Sequence, residues 1–183
     1  MRLGLGLGLS RGGGNSGPAP IVPDYSTIVT FGDSITQGVG ASVAANRGAN
    51  LLATELGATL TNQGITGTTL QNSFDSGGAP RTDNGRDRFI GATLGLAKKA
   101  AVFVAYGLND ARYIGAPATF NVTQYKADYR EVLNGLIING YSKTDIYVGT
   151  PYYITDTGLV TGGAGFTGQT RGGFETFVTA AIE

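Results

Sequence analysis

The chain has 183 residues, with Lys+Arg and Asp+Glu both at 13, so its formal net charge is zero. That length fits one domain with a substantial core, and the charge balance gives no electrostatic case for a nucleic-acid partner or an anionic membrane surface. Cysteine and histidine are both absent, which excludes disulfides and thiolate metal sites and removes the commonest general base; no metal or cofactor is expected, and cysteine usage does not separate a secreted from a cytoplasmic protein.

Residues 1–23 stand apart in composition. The Leu-Gly alternation of MRLGLGLGLSRGGGNSGPAP has one leading Arg, an apolar stretch diluted by glycine and no small-x-small cleavage site. It reads as a Gly-rich flexible leader or attachment arm to a larger assembly rather than a secretion signal. No run approaches the ~18 apolar residues of a membrane span, so a soluble domain over 24–183 is expected.

From there short β-like runs alternate with helical patterns. STIVTFG (26–32) is a β-branched run closed by glycine and predicts the first strand. Ala44, Gly48, Leu51, Leu52 and Leu56 fall on one helical face, closed by Gly57. ATLTNQG (58–64) predicts a second strand, and a weak helix, interrupted by Gly91 and Gly95, follows around Arg88 to Lys99. AAVFVAYG (100–107) is nearly all apolar, as for a strand buried on both faces. Val122, Tyr125, Tyr129, Val132, Leu133, Leu136 and Ile137 keep one face of the clearest helix, which ends at Gly140. DIYVGTP (145–151) predicts a fourth strand, and Phe174, Phe177, Val178, Ala181 and Ile182 a last helix.

This alternation predicts an α/β fold: a three-layer sandwich with a parallel sheet, of flavodoxin-like type. Ligands bind such sheets at the carboxyl ends of the strands. GDS follows the first strand, NQGITGTT the second and GLND the third, so all three clusters are expected on one rim. Ser34, on the turn out of a buried strand, has the placement of an acyl-transfer nucleophile whose own N–H helps to hold an oxyanion. Gly64, lacking a side chain, can bring a second N–H close, and Asn109 can supply a carboxamide donor. Each also has a plainer reading: Ser34 as a helix cap, Gly64 as a turn glycine, Asn109 as an Asx-turn. The spacing is not that of a phosphate loop.

FGDSITQG resembles the first signature block of the SGNH/GDSL hydrolases, and Gly64 in NQGITG with GLND at 107–110 resembles the second and third. The resemblance implies Ser34 as nucleophile, Gly64 and Asn109 as oxyanion donors, and a serine esterase acting on small acyl or carbohydrate acetyl esters. It runs from about Thr27 to the C-terminus. One block departs: the family's C-terminal Asp-x-x-His has no counterpart here, since no histidine exists. The domain therefore reads as C-terminally truncated, its last strand absent and its activity nearly lost, as serine hydrolases stripped of a triad member retain only ~10³–10⁴ over water.

Asp33 and Asp110 are expected to support loops rather than serve as bases, because a carboxylate near pKa ~4 is a poor match for a serine hydroxyl. Gly107 and Tyr106 belong to the same supporting set, with Tyr106 and Tyr113 open to either an acyl pocket or core packing. Arg81, Arg86 and Arg88 lie in a loop expected to be solvated, with an anionic substrate as the sharper alternative. Tyr152 and Tyr153 follow the fourth strand without a specific signal. The competing function is a non-catalytic glycan-binding or structural module that kept the crevice.

Overall fold

The computed structural model describes residues 23–73, 79–94, 98–112, 121–160 and 169–183. The leader, apart from Pro23, lies outside them, as do Tyr113 and Gly95. Four strands form one sheet: β1 (Thr27–Gly32), β2 (Thr59–Gly64), β3 (Ala101–Ala105) and β4 (Ile146–Gly149). All pairings are parallel and the order is β2-β1-β3-β4. β1 pairs with β2 on one side and with β3 on the other, so the order reverses at the β1/β3 boundary, where open α/β sheets leave a crevice.

Helices cover the two faces unequally. On one face α3 (Gly85–Phe89), α5 (Val122–Ile138) and α7 (Arg171–Ala180) enclose the main core of Val29, Phe31, Val102, Val104, Tyr125, Val132, Leu136, Phe174 and Phe177. On the other, α2 (Gly48–Leu56) covers a smaller cluster around Ile28, Ala53 and Ala101. β3 is therefore not buried evenly on both faces: Val102 and Val104 are fully buried, while Phe103 and Ala105 on the α2 side are half-buried.

The α2 region differs from its sequence reading. Ala44–Asn46 forms a separate short turn, and α2 begins after Arg47. Its buried residues are Ala49 and Ala53, and Leu52 and Leu56 pack against the same cluster as their spacing predicts, while Leu51 is 50% exposed. Small alanines face the sheet and turn Leu51 outward. The weak helix expected around Arg88 to Lys99 instead begins at Gly85, within the stretch read as a solvated loop, and passes after Phe89 into a wider π-helical turn over Ile90–Leu94. The other expected elements stand within a few residues of their predicted bounds, and α5 buries Tyr125, Tyr129, Val132 and Leu136 as its spacing requires. No helix among the described residues is long and apolar enough to cross a membrane.

Candidate active site

The four strands end level. Gly64 pairs with Gly32, Gly32 with Ala105, and Ala105 with Gly149. Adjacent parallel strands lie about 4.8 Å apart, so the segments that follow leave one rim side by side. Ser34 opens the four-residue helix α1 (Ser34–Gln37), immediately after β1. Asn109 lies in α4 (Leu108–Arg112), immediately after β3. Ser34 and Asn109 thus flank the crevice at the switch point, with Gly64 on the far side of β1.

Glycine is required where α1 meets β2. A Cβ on Gly64 would stand 2.2 Å from the Gln37 nitrogen and 2.7 Å from the Thr36 carbonyl carbon, both backbone atoms. The join is sealed by Asn62, which donates from Nδ2 to Thr36 O at 2.8 Å and accepts from Gly64 N–H at 2.9 Å through Oδ1. Gln37 Oε1 accepts from Thr66 N–H at 2.8 Å. The Gly64 N–H therefore already has a partner, which bears on any oxyanion role.

The third cluster holds the same loop from its other end. Asn109, 7% exposed, donates from Nδ2 to Thr68 O at 2.8 Å, leaving the second hydrogen of its amide. Asp110, 1% exposed, accepts from Leu70 N–H at 2.9 Å, from Gln71 N–H at 2.9 Å and from Gln71 Nε2 at 3.2 Å. Burial pushes its carboxyl up to about 6, against the pull of those hydrogen bonds. Asp33, also 1% exposed, caps α1 by accepting from Ile35 N–H at 2.9 Å, and burial pushes it up to about 6 as well. Both carboxylates accept from backbone N–H groups.

Gly107 and Tyr106 lie in the segment that follows β3. Gly107 has φ +125°, and a Cβ there would meet Pro151 Cγ and the Tyr125 hydroxyl at 2.5 Å each. Tyr106, 1% exposed, packs edge-on against Phe31 with ring centroids 5.2 Å apart. It belongs to the core rather than to an acyl pocket, and its burial pushes the phenol up to about 12. Tyr125 donates its hydroxyl to Tyr106 O at 3.1 Å.

The three arginines do not form an open anionic reception. Arg81 pairs with Asp83 at 2.6 Å and Arg86 with Glu131 at 2.9 Å, while Arg88 turns inward to Gly32 O. Tyr152 and Tyr153 are 44% and 81% exposed beyond β4. The sequence reading missed Asn62 and Gln37 as connectors. The signal was present: each is a polar residue where a strand or helix meets the rim, within two residues of a cluster glycine.

Chemically, the arrangement offers a hydroxyl and hydrogen-bond donors at one rim. No described residue bonds to the Ser34 hydroxyl or accepts from its N–H. Among the described residues no three Asp, Glu, His or Cys side chains gather to hold a metal.

Comparison with known proteins agrees with this fold. A carbohydrate acetylesterase family member from Sinorhizobium meliloti shares the fold with a TM-score of 0.60 at 17% identity, over 86% of this chain and 75% of that one. AlinE4, an SGNH-hydrolase family esterase, gives a TM-score of 0.52 at 19% identity, over 72% of this chain and 63% of that one. A Corynascus thermopiles (Myceliophthora fergusii) carbohydrate esterase family 2 enzyme with a carbohydrate-binding domain gives 0.51 at 22%, over 70% of this chain and 46% of that one. No curated protein matches the chain. The family model for GDSL-like lipases and acylhydrolases matches residues 30–176, from within β1 through the three rim clusters and into α7, and with that span this chain belongs to the GDSL-like lipase/acylhydrolase family.

Proposed function

We propose that the protein is an esterase-type serine hydrolase in which Ser34 is the nucleophile. The observation that carries this reading is the level ending of β2, β1 and β3, from which Gly64, Ser34 and Asn109 leave as neighbours. Ser34 Oγ attacks the ester carbonyl carbon, its proton passes to bulk water, which later returns one to the departing alkoxide, and the carbonyl electrons move onto oxygen. The Ser34 N–H and the second Asn109 amide hydrogen are available to that oxyanion. Gly64 N–H contributes once Asn62 shares or releases it. Collapse expels the alcohol, and water then releases the acid.

The proton is the weak point. The chain has no histidine, and Asp33 is committed to its cap and Asp110 to the Leu70–Gln71 backbone. Turnover is therefore nearly lost in these 183 residues, at the ~10³–10⁴ over water that donors and binding alone support. The carbohydrate acetylesterase family member among the structural neighbours makes acetylated sugars the first substrates to try.

The Ser34 hydroxyl without a proton acceptor also favours a second reading: a glycan-binding or structural module, tethered through residues 1–23. A fluorophosphonate probe with a chromogenic acetyl ester separates the two. Labelling that disappears in Ser34→Ala, together with slow turnover accelerated by added imidazole, supports the hydrolase. Absence of both, with glycan binding retained, supports the module.

A further inference from the structure

Arg88 occupies an unusual position for a charged residue. It lies on α3, which is drawn against the rim loop: Gly85 N–H donates to Thr69 O at 2.8 Å and Arg86 N–H to Leu70 O at 3.0 Å. Gly85 permits the approach, since a Cβ there would meet the Tyr106 ring at 2.9 Å. Arg88, one turn on and on the same helix face, sends its side chain beneath β1. Its guanidinium lies over the Phe31 ring at 4.4 Å from the centroid, and Nη2 donates to Gly32 O at 2.9 Å and to the Tyr106 hydroxyl at 2.5 Å.

Among the described residues no carboxylate forms an ion pair with Arg88. A half-buried cation is normally paired, because desolvating it is costly. This one rests on two neutral oxygens and a ring face. Lysine can supply the charge but not the planar fork that reaches a carbonyl while stacking.

The carbonyl it holds is the last of β1. Gly32 O also accepts from Ile65 N–H at 3.1 Å, so both of its lone pairs are occupied. That fixes the Gly32–Asp33 peptide plane. One residue further, Asp33 Oδ1 holds Ile35 N–H, and beyond that Asn62 holds Thr36 O. Ser34 is bracketed on both sides, and among the described residues Arg88 is the one cationic side chain bonded to the Gly32 carbonyl.

We propose that Arg88 is a positioning residue that sets the direction of Ser34 by clamping the Gly32 carbonyl from below. The proposal rests on the nucleophile reading for its consequence in reactivity, but not for its geometry. The experiment therefore has two readouts, in wild type, Arg88→Lys and Arg88→Met.

Amide hydrogen exchange over residues 32–36 reads the clamp directly. It should quicken at least tenfold in both variants at that segment, with α5 unchanged. Fluorophosphonate labelling of Ser34 reads the consequence and should slow about 10–100-fold, the effect of a displacement near 1 Å. In Arg88→Ala, millimolar guanidinium should recover part of the labelling while ammonium should not. Quickened exchange with no labelling in wild type would uphold the clamp and defeat the nucleophile reading. Unchanged exchange in Arg88→Lys, in a folded variant, would overturn the proposal whatever the labelling shows.

Discussion

Removing the Asp110 carboxylate should destabilise the protein by an amount that grows on acidification. Asp110→Ala leaves two buried backbone N–H groups, on Leu70 and Gln71, and the Gln71 amide without their acceptor. Each buried unsatisfied group costs about 1–3 kcal/mol. Against this, burial has raised the carboxyl from its ordinary 3.8 to about 6. Above that pH the native state carries about 3 kcal/mol of desolvation strain, which the substitution relieves. Three such groups cost about 3–9 kcal/mol together, so after that relief the net loss near pH 7.5 is about 0–6 kcal/mol, centred near 3.

A raised native pKa means that the folded form binds the proton more tightly. Stability from Asp110 is therefore full below about 3.8 and lost as pH rises through about 6. Between about pH 7.5 and pH 5 the wild type should gain about 1 kcal/mol from this group. Asp110→Ala forfeits that gain, so its deficit should widen by the same amount. Urea unfolding of both proteins at the two pH values, at constant ionic strength, measures it. A deficit that is equal at both values, or larger at the higher one, refutes the account of Asp110 as a buried acid that fastens the loop.

Three further outcomes follow from local packing. Gly64→Ala drives a methyl into the backbone of Thr36 and Gln37, where neither partner can swing away, and should lower stability by about 1–3 kcal/mol in calorimetry. Gly48→Ala, with open space around it in α2, should raise stability by about 0.5–1 kcal/mol, and a loss there would contradict the helix start assigned to it. Among the described residues β4 pairs with β3 alone, and Val148 on it is 38% exposed. An unpaired edge templates association, so light scattering should show concentration-dependent self-association that Val148→Lys reduces; a wild type that stays monomeric at high concentration contradicts this.

The elements and their order were legible in the chain by itself, because hydrophobic period and glycine punctuation are local properties. α5 shows this best: seven apolar positions at helical spacing predicted a helix whose Tyr125, Tyr129, Val132 and Leu136 are buried. The three rim clusters could also be found, since strand ends in a parallel sheet share one side. The packing decided what local pattern does not encode. Leu51 faces solvent because alanines set how closely α2 lies on the sheet. Gly64 N–H is claimed by Asn62, two residues away, because the strand's end curls against α1. Arg88, in a stretch that reads as a solvated loop, turns inward because Gly85 lets α3 approach Tyr106 and leaves the Gly32 carbonyl within its reach. Each depends on contacts between segments 26 to 56 positions apart, which no local periodicity records.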